Sequence, residues 1–249
     1  MNLINTKGFV LKEQTYREND KIIWVLCENI GKISILAKNA KKSNNSFFSI
    51  TQPFSLVQFN LKKGRNFYYI SDGSLIKNID FLNFGDQIFH LTYFFELLDI
   101  AFSDGYEIDK RFFRFLLNIF LLFEVKEVNK DFIMRIFELR LLKENGYHLE
   151  FERCYFCSNK IKGKESYFYF NLQNVVCISC GNLKEFRVEN RIINIMRFLC
   201  TVNIMNIPKI KISDEDINSI FNLNKVFLEQ NLVRMPNSIK FLGGYKKDE

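Results

Sequence analysis

A chain of 249 residues, 47% of them hydrophobic, has room for one large domain or two to three small ones and enough apolar side chain for a real core. Its longest apolar stretch, 115–123, falls far short of the roughly 20 residues of a membrane helix and reads as a buried helix segment. The formal charge of +7 is uneven: residues 1–80 hold 12 Lys and Arg against 6 Asp and Glu, whereas residues 81–249 hold 23 against 22.

The first 80 residues are predicted to be strands. Segments 8–16, 21–28, 32–38, 54–61 and 66–76 are rich in β-branched and aromatic residues, and polar turns such as Arg17-Glu-Asn-Asp20, Asn29-Ile-Gly31 and Lys62-Lys-Gly-Arg65 divide them. Within 32–38, Ile33, Ile35 and Ala37 alternate with Lys32, Ser34 and Lys38, so the two sets face opposite ways. Five short strands in about 75 residues predict a small closed barrel of the OB type. The basic excess of this segment suits a polyanion-binding module or plain solubility, and charge alone does not choose. If nucleic acid is the partner, Lys38, Lys41 and Lys42 are the first candidates, because they follow a strand end and adjoin a polar loop, Ser43-Asn-Asn-Ser46. Arg17, Lys62, Lys63 and Arg65 sit in other inter-strand turns and extend the track. Phe67 and Tyr68 are candidate stacking rings, but neighbours in a strand face opposite ways, so one of them belongs to the core.

From 81 to 145 the apolar period becomes helical: Ile88, Leu91, Phe95, Leu98 and Phe102 share a face. Asp109 is placed to cap a second helix running to Phe123, apolar on nearly every side and so expected to be central. A third helix is predicted over 131–143, with Ile133, Phe137 and Leu141 buried and Asn145-Gly146 closing it. Further helical patterning covers 187–203 and 214–232, the latter opening on Asp214-Glu-Asp216 after Ser213.

Between these helices, at about 150–183, lie two CxxC pairs, Cys154-Tyr-Phe-Cys157 and Cys177-Ile-Ser-Cys180, separated by 19 residues. This spacing is that of a four-thiolate zinc site, one ion per chain, carried on two short strands, 167–170 and 174–177. Four protein ligands leave no position for water, so the expected role is structural. The N-terminus has no basic region followed by an apolar stretch, which points to a reducing compartment, where paired cysteines bind metal more often than they form disulfides. A thioredoxin-like dithiol needs a CxxC opening a helix, and neither pair has that setting. Cys27 and Cys200 sit in apolar runs and read as buried free thiols. His90 lies in a helical stretch; His148 lies near Cys154, but four cysteines already complete a zinc shell. There is no GxxxxGK[ST], GxGxxG or HExxH motif, and no nucleophile–base pattern, which weighs against an enzyme.

The organisation is therefore α+β and multidomain: a five-stranded OB-fold barrel, the candidate nucleic-acid-binding domain, over 1–80, then a helical domain over 81–249 with a four-cysteine zinc ribbon inserted at about 150–183. That order of parts resembles the bacterial RecO family of DNA repair proteins. The resemblance is carried by Gly8-Phe-Val-Leu11 with Glu18-Asn-Asp-Lys21, by Gly31-Lys-Ile-Ser-Ile-Leu-Ala-Lys-Asn-Ala-Lys-Lys42, and by Gln52-Pro-Phe-Ser-Leu56. Phe137-Glu-Leu-Arg-Leu-Leu142 with Asn145-Gly-Tyr147 and the terminal Ser238-Ile-Lys-Phe-Leu242 complete it, so that it spans the whole chain. Asn39 stands where the family usually has glycine, and Asn is the next best residue for a left-handed backbone. Some members of the family lack the cysteines, which implies that zinc supports the fold and not the activity.

The resemblance implies a non-enzymatic recombination mediator. It would bind single- and double-stranded DNA, anneal complementary strands and, with RecR, help load RecA onto strands coated by single-strand-binding protein. It also implies recognition of the acidic C-terminal tail of that coating protein, for which Arg111, Arg114, Arg135 and Arg140 of the helical body are candidates, and a cytoplasmic, nucleoid-associated location. On the residues alone two other classes stay open: a nucleic-acid-modifying enzyme using the ribbon as a clamp, and a ribosome- or transcription-associated binding factor.

Overall fold

The structure, a computed structural model, describes residues 3–79, 85–147 and 151–242. Contacts divide the chain into two compact units, Met1–Leu117 with Arg234–Glu249, and Asn118–Val233.

The first unit is built on five strands: β1 (Leu3–Tyr16), β2 (Asp20–Cys27), β3 (Gly31–Ala37), β4 (Leu56–Lys63) and β5 (Tyr68–Lys77). They close into a barrel in the order β1-β2-β3-β5-β4, antiparallel except where β3 and β5 run parallel through Ile35 beside Tyr68 and Leu36 beside Tyr69. This is the OB arrangement that the strand count predicts. Alternation fills the interior: Ile23, Val25, Cys27, Ile33, Ile35, Val57, Phe59 and Leu61 all point inward. A four-residue helix, α1 (Phe47–Ile50), adds Ile50 to this core. Its brevity and its polar approach hide it from a periodicity reading.

Helix α2 (Ile88–Ala101) packs on the outside of β1. Phe9 meets Phe94 and Phe95 edge-on, with centroids 6.4 and 6.0 Å apart. The terminal motif docks on the same helix: the Ser238 N–H donates to Glu96 Oε2 at 2.9 Å, and Phe241 stacks on Phe89 at 4.8 Å. Lys32 faces away from the barrel core as its strand position requires, yet it is only 6% exposed. Its ammonium lies 2.8 Å from the Asp99 carboxylate and donates to the carbonyls of Asp99 (2.6 Å) and Phe102 (3.0 Å). A cation there also meets the negative end of the α2 dipole. Burial alone pushes the Asp99 carboxyl up, but hydrogen bonds and charges from Lys12 and Lys32 outweigh it and hold the group below the usual carboxylate range.

Helix α3 (Lys110–Leu122) buries Phe112, Phe113, Leu116, Ile119 and Phe120 but leaves Arg111, Arg114 and Leu121 exposed, so it is not apolar all round. Asp109 caps it, accepting from the Arg111 N–H at 2.6 Å.

The second unit contains α4 (Lys130–Glu144), α5 (Asn190–Leu199), α6 (Asp214–Asn231) and a three-stranded sheet, β6 (Glu165–Tyr169), β7 (Asn174–Cys177) and β8 (Phe186–Glu189), in the order β7-β6-β8. Asn129 caps α4 through the Phe132 N–H at 3.1 Å, and Gly146, with φ of +87°, ends it. The third strand corrects the sequence reading. Residues 186–189 are not the start of a helix: Val188 is buried and pairs with Ser166, and the helix begins at Asn190. Phe168 of β6 meets Phe227 of α6 edge-on at 5.1 Å, which seats the sheet on the helices of this unit. Among the described residues, no helix is long and apolar enough to cross a membrane.

Candidate metal centre and nucleic-acid interface

Each CxxC pair forms a tight turn. The Ser158 N–H donates to the Cys154 carbonyl at 2.9 Å, and the Gly181 N–H to the Cys177 carbonyl at 2.9 Å. Ser158 adopts a left-handed φ of +57° to close the first turn. Gly181 lets the second one sit against the sheet, since a Cβ there would lie 2.0 Å from the Tyr167 ring. The turns converge until the sulfurs of Cys154, Cys157, Cys177 and Cys180 lie within 4.8 Å of one another. Cys157 and Cys177 sulfurs are 3.9 Å apart. A disulfide needs about 2.05 Å. A tetrahedron of Zn–S bonds of about 2.3 Å has edges of about 3.8 Å, so the donor set fits a four-thiolate ion. Burial raises the Cys154 thiol, but hydrogen bonds from the backbone of Cys157, Cys177 and Phe156 and from the Cys157 side chain bring it down to about 6. Hydrogen bonding with the Cys177 and Cys157 sulfurs pushes Cys180 up to about 12. A cation bound among them would hold all four as thiolates. His148 lies outside the described residues; His90 is half-buried in α2.

The basic residues of the barrel occupy three turns. Arg17 is in the β1–β2 turn, Lys38, Lys41 and Lys42 follow β3, and Lys62, Lys63 and Arg65 surround the β4–β5 turn; all seven are exposed. The fold joins these turns. The Asn39 N–H donates to Asp20 Oδ1 at 2.8 Å and the Lys41 N–H to the Asn19 carbonyl at 3.1 Å, tying the second turn to the first. Tyr16 and Phe67 place their rings 6.5 Å apart, tying the third turn to the first. Asn39 takes the left-handed conformation, φ of +57°, that its place in the motif requires. Three basic turns thus meet at one end of the barrel. Of the two candidate rings, Tyr68 packs on the barrel core, whereas Phe67 stays half-exposed beside Tyr16.

The four arginines of the body have different surroundings. Arg111 is 91% exposed on its side chain and pairs with Asp109 at 3.3 Å; Arg114 is also exposed. Arg135 is fully buried, bonded to Glu138 at 2.7 Å and lying 4.3 Å over the Phe221 ring. Asn224 donates to the same Glu138 at 2.8 Å, which makes this a structural cluster closed to an outside partner. Arg140 is half-buried and donates to the carbonyls of Leu199 and Val202. The sequence pattern, arginine among apolar residues, is the same for all four; only packing separates them.

Residues missed by the sequence reading include Trp24 and Tyr69, which lie on the outer barrel wall. The signal was present in Ile22-Ile-Trp-Val-Leu-Cys27, a strand apolar at every position and so apolar on both faces. The Lys12–Asp99–Lys32 group was likewise unforeseen, since it joins residues 87 positions apart.

Two family matches cover nearly all of the chain: Recombination protein O N terminal over residues 1–79, and Recombination protein O C terminal over residues 85–238. Among similar proteins, the DNA repair protein RecO of Clostridium kluyveri is 31% identical, covering 96% of this chain and 93% of its own length. Those of Clostridium novyi and Clostridium acetobutylicum are each 30% identical and cover 100% of this chain, with 97% and 100% of their own lengths. No enzymatic activity is named in any of these matches. With the barrel inside the first match, the cysteine ribbon inside the second, and relatives aligned from end to end, the chain belongs to the RecO family of DNA repair proteins.

Proposed function

We propose that this chain is a recombination mediator that binds single- and double-stranded DNA through its barrel, anneals complementary strands and, with RecR, helps load RecA onto strands coated by single-strand-binding protein. The observation that carries the reading is the meeting of three basic turns at one end of an OB barrel in a chain of a DNA repair family. Seven cations on long, exposed side chains suit a phosphate backbone, and they read no base, so binding is indifferent to sequence. The barrel, 1–80, acts as the DNA-binding domain and the rest as a body that meets proteins. In that body Arg111 and Arg114 are the arginines placed to meet an acidic tail of single-strand-binding protein. The four cysteines hold one zinc ion that supports the ribbon's fold and supplies no chemistry. The reading places the protein in the cytoplasm, with the nucleoid.

The test replaces Lys38, Lys41 and Lys42 together by Glu in the full chain and measures binding and annealing of oligonucleotides over a salt series. Loss of three phosphate contacts should abolish most binding at moderate salt to all sequences alike. In the residual binding, the dependence of log K on log salt should flatten by about 0.7 per contact. Binding and annealing equal to the parent's would place the DNA track elsewhere.

A further inference from the structure

The outer wall of the barrel carries an apolar surface that a free-standing sheet does not need. Registers across β1, β2, β3 and β5 align Gln14, Ile22, Leu36 and Tyr69 in one row, and Lys12, Trp24 and Ser34 in the next. Ile23, Val25, Ile33 and Ile35 fill the interior, so Ile22, Trp24 and Leu36 face outward. Tyr69 lies between Tyr68 and Ile70, both packed on the core, and so faces outward too. All four of these apolar residues keep part of their surface in solvent.

The α2 end of the first unit covers one side of this wall and stops at a polar boundary. Lys12 pairs with Asp99 at 2.7 Å, and Ser34 Oγ donates to Asp104 Oδ2 at 3.3 Å. Beyond that boundary come the rings and then the basic turns. Tyr69 leans on the β4–β5 turn so closely that a Cβ on Gly64 would lie 2.3 Å from its ring. Lys12, paired with Asp99, lies 4.7 Å from the centre of the Trp24 ring. Half-exposed rings bordered by seven exposed cations match a chain of unpaired bases on a phosphate backbone, which needs π-faces and positive charge side by side. An acidic peptide would use the cations and leave the rings idle, and a duplex keeps its bases stacked on one another.

We propose that Trp24 and Tyr69 stack on unpaired bases, so that this wall of the barrel favours single strands over duplex. The inference rests on the DNA-binding reading above and adds what the cations alone do not supply, a preference between strand states. Cations hold both forms; the rings reward only the unstacked one.

Trp24 is the sole tryptophan of the chain, so its emission reports on this wall alone. The experiment titrates fluorescently labelled oligothymidylate and a labelled duplex of equal length with the full chain, read by anisotropy, for the parent, Trp24→Leu, Tyr69→Leu and the triple lysine variant, and follows Trp24 emission in the parent. Oligothymidylate should quench Trp24. Each Leu variant should bind oligothymidylate about tenfold more weakly, the size of one lost stacking contact, and bind duplex as the parent does. Trp24→Phe and Tyr69→Phe keep a ring and should restore most of the loss, which separates stacking from a folding defect. If the Leu variants bind single strands normally while the triple lysine variant does not, the stacking inference fails and the DNA-binding reading stands. If the triple lysine variant also binds normally, that reading fails as well. Equal losses on single strands and duplex, or quenching by an acidic peptide and not by oligothymidylate, would also overturn the inference.

Discussion

Asp99→Asn is the most exacting test of how the barrel is held to α2. The substitution keeps the shape of the side chain and removes its charge from between Lys12 and Lys32. The two cations differ in exposure. The Lys12 side chain is 46% exposed and can turn to water, so its share is small. That of Lys32 is 7% exposed, and Asp99 is 10% exposed, so this pair is effectively buried. Removing one partner of a buried pair costs about 3–5 kcal/mol. Lys32 keeps its two carbonyl acceptors, which places the loss toward the lower end, at about 3 kcal/mol. For a chain of this size that corresponds to a fall in Tm of about 6–12 °C. Trp24, which touches Lys12, reports the transition by fluorescence. The pH dependence has a definite sign. The Asp99 carboxyl is depressed in the folded state, so its stabilisation is complete above the ordinary carboxylate pKa of about 3.9 and is lost as pH falls through the depressed value. The gap between parent and variant should therefore be constant near neutrality and narrow only below about pH 4. Equal stability at pH 7, or a gap that closes between pH 7 and 5, would refute the reasoning.

Other expectations concern the second unit and the body. Protein purified without added metal should carry about one equivalent of zinc by elemental analysis. Cys177→Ser should lose the metal and lower thermal stability while leaving oligonucleotide affinity of the folded fraction unchanged; iron, or no metal in folded protein, would sink the assignment. Arg135→Ala leaves Glu138 buried against Asn224 without its cation and should cost about 3–5 kcal/mol in a urea titration; a loss under about 1 kcal/mol would show that the cluster rearranges. Arg111→Ala with Arg114→Ala, both on exposed positions, should leave that titration unchanged but weaken binding of a fluorescent acidic tail peptide to the full chain. Unchanged anisotropy would move the peptide site away from α3.

The sequence by itself determined those features whose cause is local. Strand alternation in 32–38, the cap at Asp109, the helix start after Ser213, the left-handed turn at Asn39 and the metal spacing of the cysteines each depend on residues within a few positions, or on a ligand chemistry that tolerates few spacings. The barrel followed from counting strands, and the family from the order of short motifs. Only the tertiary structure decided what distant residues do to one another. A lysine on the polar side of a strand is read as solvated, yet Lys32 is buried because a helix end some 67 residues later lies over it. Four arginines with the same local setting separate into two exposed and two structural, because burial is set by neighbouring helices. Between Phe67 and Tyr68, which strand chemistry alone leaves open, it is Tyr68 that packs on the core, because β5 pairs with β3 in one register only, and a slip of one residue would turn that ring to the other face.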